Sequence, residues 1–289
     1  MPPRTNSWGQ SDDGRAALPC IRPPGHRAGV RLASTPGAYP GRHMSGAVVH
    51  AEVARLLQAG EPVPASWVPE IHELRLERAL LPGLAGIAGL TALRSLFLTR
   101  SPVSDISPLA ALSGLERLGL KLTRVADISP LAGMAGLRSL VLSFTPVADI
   151  AAASGLNGLE SCYLTGSLVA DITPLAGLTG LQRVDLGGTH VTDLTPLTGL
   201  RRLRSLELSS TKVRDLRPLS GLQALEILDL GDTEVDDLSP LAGLRALRRI
   251  DVRGSKATDL SMLPAGCEVV SALTYRRARQ GQGGRATPR

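Results

Sequence analysis

The chain has 289 residues, with 32 basic against 26 acidic residues and a formal charge of +6. Its 43% hydrophobic and 20% charged residues exclude a chain that is disordered throughout, and aromatics at 2% mean that any core is aliphatic. No stretch of about 18 apolar residues exists to cross a membrane as a helix, and three widely spaced cysteines (Cys20, Cys162, Cys267) form neither a disulfide framework nor a zinc site.

Residues 1–43 hold six Arg and two Asp among many Pro and Gly, without hydrophobic periodicity. They read as a disordered segment that lacks the apolar stretch of a secretory signal. Met44 opens the first patterned stretch and is the expected start of translation, which would leave 1–43 untranslated. Residues 44–70 are expected to form a helical N-terminal cap. Val49, Val53, Leu56 and Leu57 share one side of a helix over 47–59, with Trp67 beside it. At the other end, 276–289 carry five Arg and no acid and read as a basic disordered tail. The segment 44–275 is therefore left at −3. The positive charge sits at the ends, and the body offers no basic stripe for nucleic acid.

Between the ends the sequence repeats every 22 residues. Leu93, Leu115, Leu137, Leu159, Leu181, Leu203, Leu225 and Leu247 mark the period, and Ile71 extends it backwards to give nine units over 71–268. The third and fifth positions after each mark are aliphatic or Cys, as in Leu96/Leu98 and Val184/Leu186. This period of two predicts a short strand with one buried face. A Val follows at the tenth position (Val103 to Val235), then Asp with Ile or Leu (Asp105-Ile106 to Asp259-Leu260). Next comes Ser, Thr or Arg before Pro-Leu, with Pro at 108, 130, 174, 196, 218 and 240. Pro opens helices because its missing N–H would go unpaired there, and the preceding hydroxyl is expected to cap the turn. Each unit is thus strand, turn and short helical turn. No single unit buries its apolar side, so the units must stack into one aliphatic column.

The Thr or Ser at the eighth position (Ser101, Thr123, Thr145, Ser167, Thr189, Thr211, Thr233, Ser255) is expected to pair with backbone of a neighbouring rung. The recurrent Asp is expected to hold the turn through side chain to backbone bonds. It lacks the second acid two residues away that a calcium loop needs. Cys162 takes a Leu position and reads as a core residue.

The pattern L-x-x-L-x-L-x-x-T-x-V-x-D-I-S-P-L-x-x-L resembles the leucine-rich repeats of internalins and of the protein-phosphatase regulatory subunit of the same repeat class, over about 200 residues. The resemblance implies an α/β leucine-rich-repeat solenoid: a right-handed β/helical-turn superhelix of nine repeats with a parallel sheet on its concave face. A cap strand is expected at 269–275. The chain departs from the pattern by placing Thr or Ser where those families place Asn. It also departs at Ala151-Ala152-Ala153, where Ser-Pro-Leu is expected and the column should be thinner.

Function on such a scaffold sits on strand residues facing away from the column. The fourth positions run Arg75, Phe97, Gly119, Val141, Tyr163, Asp185, Glu207, Asp229 and Asp251. Phe97, Val141 and Tyr163, with Phe144 at the bordering seventh position, make an apolar cluster of the kind that anchors partners; Leu122 borders it. Asp185, Glu207, Asp229 and Asp251 make a file of carboxylates about 5 Å apart, a destabilising arrangement. Arg183, Arg249 and Arg253 are expected to offset part of it. The file reads as a docking strip for a basic segment.

The five His do not cluster, and no phosphate loop, H-E-x-x-H or G-x-S-x-G occurs. The expectation is a non-catalytic scaffold without cofactor or metal. It would be cytoplasmic, bacterial and monomeric, with no specific nucleic-acid contact, and bind a protein partner on its concave face. The resemblance also permits a regulatory subunit of a Ser/Thr phosphatase or an internalin-like surface adhesin.

Overall fold

The computed structural model describes residues 46–81 and 83–271, and the side chains from Ala51 onward. The readings of 1–43, of a start at Met44, of Val49, of Tyr275 and of the tail 276–289 lie outside these. The chain divides at His43/Met44 into two units, and the described residues belong to the second.

A helix, α1 (Gly46–Ala59), precedes ten short strands among the described residues. These are β1 (Glu73–Arg75), β2 (Ser95–Phe97), β3 (Arg117–Gly119), β4 (Ser139–Val141), β5 (Ser161–Tyr163), β6 (Arg183–Asp185), β7 (Ser205–Glu207), β8 (Ile227–Asp229), β9 (Arg249–Asp251) and β10 (Glu268–Val270). They form one parallel sheet in sequence order. From β1 to β9 each residue pairs with the one 22 later, as Glu73 with Ser95 and Asp229 with Asp251. The last step is shorter: Arg249 pairs with Glu268, 19 residues on. A sheet of three-residue strands this regular is what a leucine-rich-repeat solenoid requires.

Seven apolar positions per unit point inward. In the unit of β7 they are Leu203, Leu206, Leu208, Val213, Leu216, Leu219 and Leu222, all buried. The same positions in the other units form one continuous cluster. Val53 and Leu57 of α1 join it, and Trp67 packs against it partly buried. Cys162 is buried in its Leu position, and burial pushes its thiol up to about 12, so it stays protonated and inert.

Each helical segment between strands is a 3₁₀ turn, such as Thr195–Leu197. The Ser or Thr before Pro does not cap it, contrary to the expectation, because that residue is already inside the turn. The Asp two residues earlier caps instead. Asp105, Asp127, Asp171, Asp193 and Asp237 each accept a backbone N–H at 2.7–2.8 Å from the residue before Pro. Asp149 does the same for Ala151, so the turn Ala151–Gly155 forms without a proline. There Ala153 fills the inward position that Leu holds in the flanking units, and pairing from β4 to β6 continues unbroken.

The hydroxyl series also differs from the expectation. Thr123, Thr145, Thr189, Thr211 and Thr233 donate to the carbonyl three residues earlier in their own rung, at 2.6–2.7 Å. A left-handed residue at the seventh position causes this, because it folds the chain back on itself. Arg78, Arg100, Leu122, Phe144, Ser210 and Asp232 all have φ between 55° and 61°, and Gly166, Gly188 and Gly254 occupy the same position.

Because the column is close-packed, its loss is local and large. Leu206→Ala is expected to lower unfolding free energy by about 2–5 kcal/mol in a urea titration, with the native circular dichroism spectrum retained.

Candidate functional site

The fourth positions of successive strands stand in register, so the face reads as one line across the sheet. At its start Phe97 lies over Gly119 and under Arg75. The Arg75 guanidinium is 4.5 Å from the ring centre, and a Cβ on Gly119 would sit 2.6 Å from Phe97 Cδ1. Phe97 is therefore half-buried by its own chain, in a cation–π stack. Val141 and Tyr163 follow in register, both half-buried.

Phe144 is different. It is 48% exposed, and so is Leu122 at 39%. Both hold the left-handed backbone, which costs an L-residue about 1–2 kcal/mol, at a position where three other rungs use Gly. The Phe144 ring lies over Gly166, whose Cβ would meet Phe144 Cδ1 at 2.7 Å. Gly166 also has φ 65°, so only glycine satisfies both the turn and the ring. Lys121 Nζ lies over the ring, 5.6 Å from its centre. Strain and exposure thus coincide on two bulky apolar side chains at the edge of the face.

The acidic half begins at Asp185, paired with Tyr163 and Glu207; Glu207 pairs with Asp229, and Asp229 with Asp251. Asp185 accepts from Thr165 Oγ1 at 2.6 Å and from the Gly187 N–H at 3.0 Å. Asp229 accepts from the Gly231 N–H at 2.7 Å. Burial, with the charges of Asp185 and Asp229 next, pushes the Glu207 carboxyl up to about 7. Burial also raises Asp229, against the Gly231 bond that lowers it.

Asp251 corrects the sequence reading. It is 1% exposed, gripped by Arg253 through Nε at 3.0 and 2.9 Å and Nη2 at 2.5 Å. It is an internal ion pair, and the accessible file is Asp185, Glu207 and Asp229. Among the described residues no ion pair joins Arg183 or Arg249 to the file. Arg183 Nε donates to Ser161 Oγ of the preceding rung at 3.1 Å, as Arg117 Nε does to Ser95 at 2.9 Å. Arg249 occupies the same position, but Ile227 stands where the Ser would be. Its Nε is buried without a partner, and its Nη1 lies 3.6 Å from Glu268.

Gly119, Gly166 and Thr165 shape the face but carried no signal in the sequence, because their roles depend on a ring or carboxylate one rung away. Among the described residues no group of three or more His, Cys, Asp or Glu is placed to hold a metal ion.

Comparisons agree with this geometry. A family model described as Leucine Rich repeats (2 copies) matches residues 201–243. A comparison with curated protein sequences finds no match. Among solved structures, an internalin from Listeria monocytogenes superposes with a TM-score of 0.71 at 27% identity, over 77% of this chain and 68% of that one. Internalin C2 from the same organism gives 0.63 at 30% identity, over 69% of this chain and 90% of that one. A leucine-rich-repeat protein of Leptospira interrogans, at 18% identity and TM-score 0.64 over 79% of this chain and 62% of that one, shares the fold. The chain is a leucine-rich-repeat protein, a class that typically serves as a scaffold for protein–protein contacts. Within it, the chain belongs to the internalin-type family.

The titrations have opposite signs. Folded Glu207 keeps a proton that the unfolded chain releases near 4.5, so its contribution is complete below that pH and is lost as pH rises through about 7. Hydrogen bonds from the residues two places on hold the exposed capping aspartates, such as Asp105 and Asp193, below their usual value. Their contribution is present above about pH 4 and lost below it. The melting temperature is therefore expected to peak near pH 5. In Glu207→Gln the decline from pH 5 to pH 8 should be reduced, which differential scanning fluorimetry across pH will read. Separately, Leu122→Gly should raise stability by about 0.5–1 kcal/mol by relieving the backbone, measured in urea.

Proposed function

We propose that this protein is a non-catalytic scaffold that binds a partner protein through the sheet face, taking an extended basic segment that carries an apolar anchor. The observation that carries the reading is the joining of two unlike halves on one face. Tyr163 and Asp185 are register neighbours, so an apolar anchor seated on Val141, Tyr163 and Phe144 places the next residues over Asp185, Glu207 and Asp229. No cation bonds Glu207 among the described residues, and the charge of Arg253 offsets only part of the effect on Asp229. A partner's Arg or Lys would supply the missing charge, giving specificity and a faster encounter.

Two physical features support a recognition role. Apolar side chains in strained backbone do not help a repeat whose other rungs use Arg, Gly, Ser or Asp at that position, and such strain gathers at binding sites. Like charges in register oppose folding, so their presence on three adjacent strands is a cost that a cationic partner would remove. The fold's habitual use as a binding scaffold agrees with both.

The test is a random-peptide display selection on the immobilised chain. Enriched sequences should combine Arg or Lys with an aromatic or large aliphatic residue. Their affinity should fall at least tenfold in Tyr163→Ala and in Asp229→Asn, with melting temperatures near that of the parent. A loss of about 2 kcal/mol or more at a binding hot spot corresponds to that change. Enrichment of acidic peptides, or unchanged affinity in both variants, would remove this face from consideration.

A further inference from the structure

Three accessible carboxylates stand in register on β6, β7 and β8, and the arginines of their own face are engaged elsewhere. Arg183 bonds Ser161, Arg249 leans toward Glu268, and Arg253 grips Asp251. The described chain ends at Ser271, one residue beyond β10, and β10 pairs with β9. The remaining 18 residues therefore leave from the acidic end of the sheet. They hold Arg276, Arg277, Arg279, Arg285 and Arg289 and no acidic residue.

Reach is sufficient. Five residues separate Ser271 from Arg276, which is ~17 Å of extended chain at about 3.3 Å each. Parallel strands lie ~4.8 Å apart, so β8 is ~10 Å and β6 ~19 Å from β10. Arg276, Arg277 and Arg279 can be laid over Asp229, Glu207 and Asp185, and the later arginines have chain to spare. After Tyr275 the segment contains no large apolar side chain, so it matches the acidic half of the face and leaves Tyr163 and Phe144 uncovered.

We infer that the arginine-rich segment 276–289 docks in cis along Asp229, Glu207 and Asp185, as a tethered competitor for the basic segment of a partner. The inference rests on the reading of the sheet face as the recognition surface. It adds a regulatory consequence. A tether this short holds its ligand at millimolar effective concentration, so a partner must displace the tail from the acidic half. Its apolar anchor, which the tail cannot imitate, supplies the advantage. High salt, which screens exposed charge pairs, weakens the tail more than an anchored partner.

The experiment compares the full chain with a chain ending at Tyr275, a truncation that keeps every described residue. The probe is a fluorescent peptide with the sequence of residues 276–289, followed by anisotropy. The truncated chain should bind it, with affinity falling at least tenfold between about 25 and 300 mM salt. The full chain should bind about tenfold more weakly or worse, because its own tail fills the site. Asp229→Asn with Glu207→Gln in the truncated chain should abolish binding, while Tyr163→Ala should leave it unchanged. Equal binding by the full and truncated chains, or binding that persists in the double variant, overturns the inference. So does absence of binding to the truncated chain at low salt. Display selection on the same chains separates the two readings. Selected peptides that need Tyr163, with no binding of the tail peptide, leave the recognition face standing without its competitor. Tail binding with no selected peptides leaves the competitor without the proposed partner.

Discussion

Every rung of this protein must present the same cavity to the next. Leu203, Leu206, Leu208, Val213, Leu216, Leu219 and Leu222 are buried between neighbours that offer the same set one period away. A change at one inward position is felt by two adjoining rungs, so the interior is held to Leu, Ile and Val. Among the exceptions are Met134, which fills a Leu position, and Cys162 and Ala153, smaller residues that leave the pairing of β4, β5 and β6 intact. Polar turns follow the same logic. An Asp caps the 3₁₀ turns from Ser107–Ala111 to Ser239–Leu241, and in Thr123, Thr145, Thr189, Thr211 and Thr233 a hydroxyl ties the chain back to its own strand. With the inside and the turns committed, the outward strand positions are where the sequence is free to differ.

The differences there are ordered. Along the fourth position the face passes from a cation–π stack at Arg75 and Phe97, through Val141 and Tyr163, to Asp185, Glu207 and Asp229. Folding alone accounts for little of this. Leu122 and Phe144 occupy a left-handed position that glycine fills more easily, and Glu207 keeps a proton because burial, and then the charges of its neighbours, disfavour its carboxylate. Each is unfavourable in the isolated chain. Asp251 is the counter-example: Arg253 neutralises it internally, and it has withdrawn from the surface.

The architecture was legible in the sequence because its cause is periodic. The spacing of Leu, Val, Asp and Pro fixes strand, turn and stack, and the regular pairing from β1 to β9 follows from the 22-residue step. What was not legible depends on contacts between rungs or on backbone direction. The eighth-position hydroxyls bond within their own rung because the seventh residue is left-handed, and a series that mixes Arg, Leu, Phe, Gly, Ser and Asp conceals that conformation. Arg183 and Arg249 share a repeat position but meet Ser161 and Ile227, so the partner one period back decides whether the guanidinium is satisfied. Gly119 and Gly166 matter only through the rings lying over them.

The central claim is that recognition happens on the sheet face, where the apolar and acidic halves meet. Hydroxyl-radical footprinting of the chain alone and with a bound basic-apolar peptide tests it most directly, because it reads side chains. Oxidation of Phe144 and Tyr163 should fall on binding, while that of Met262, exposed outside the strands, should not change. Protection at Met262 with Phe144 and Tyr163 unaltered would contradict the account.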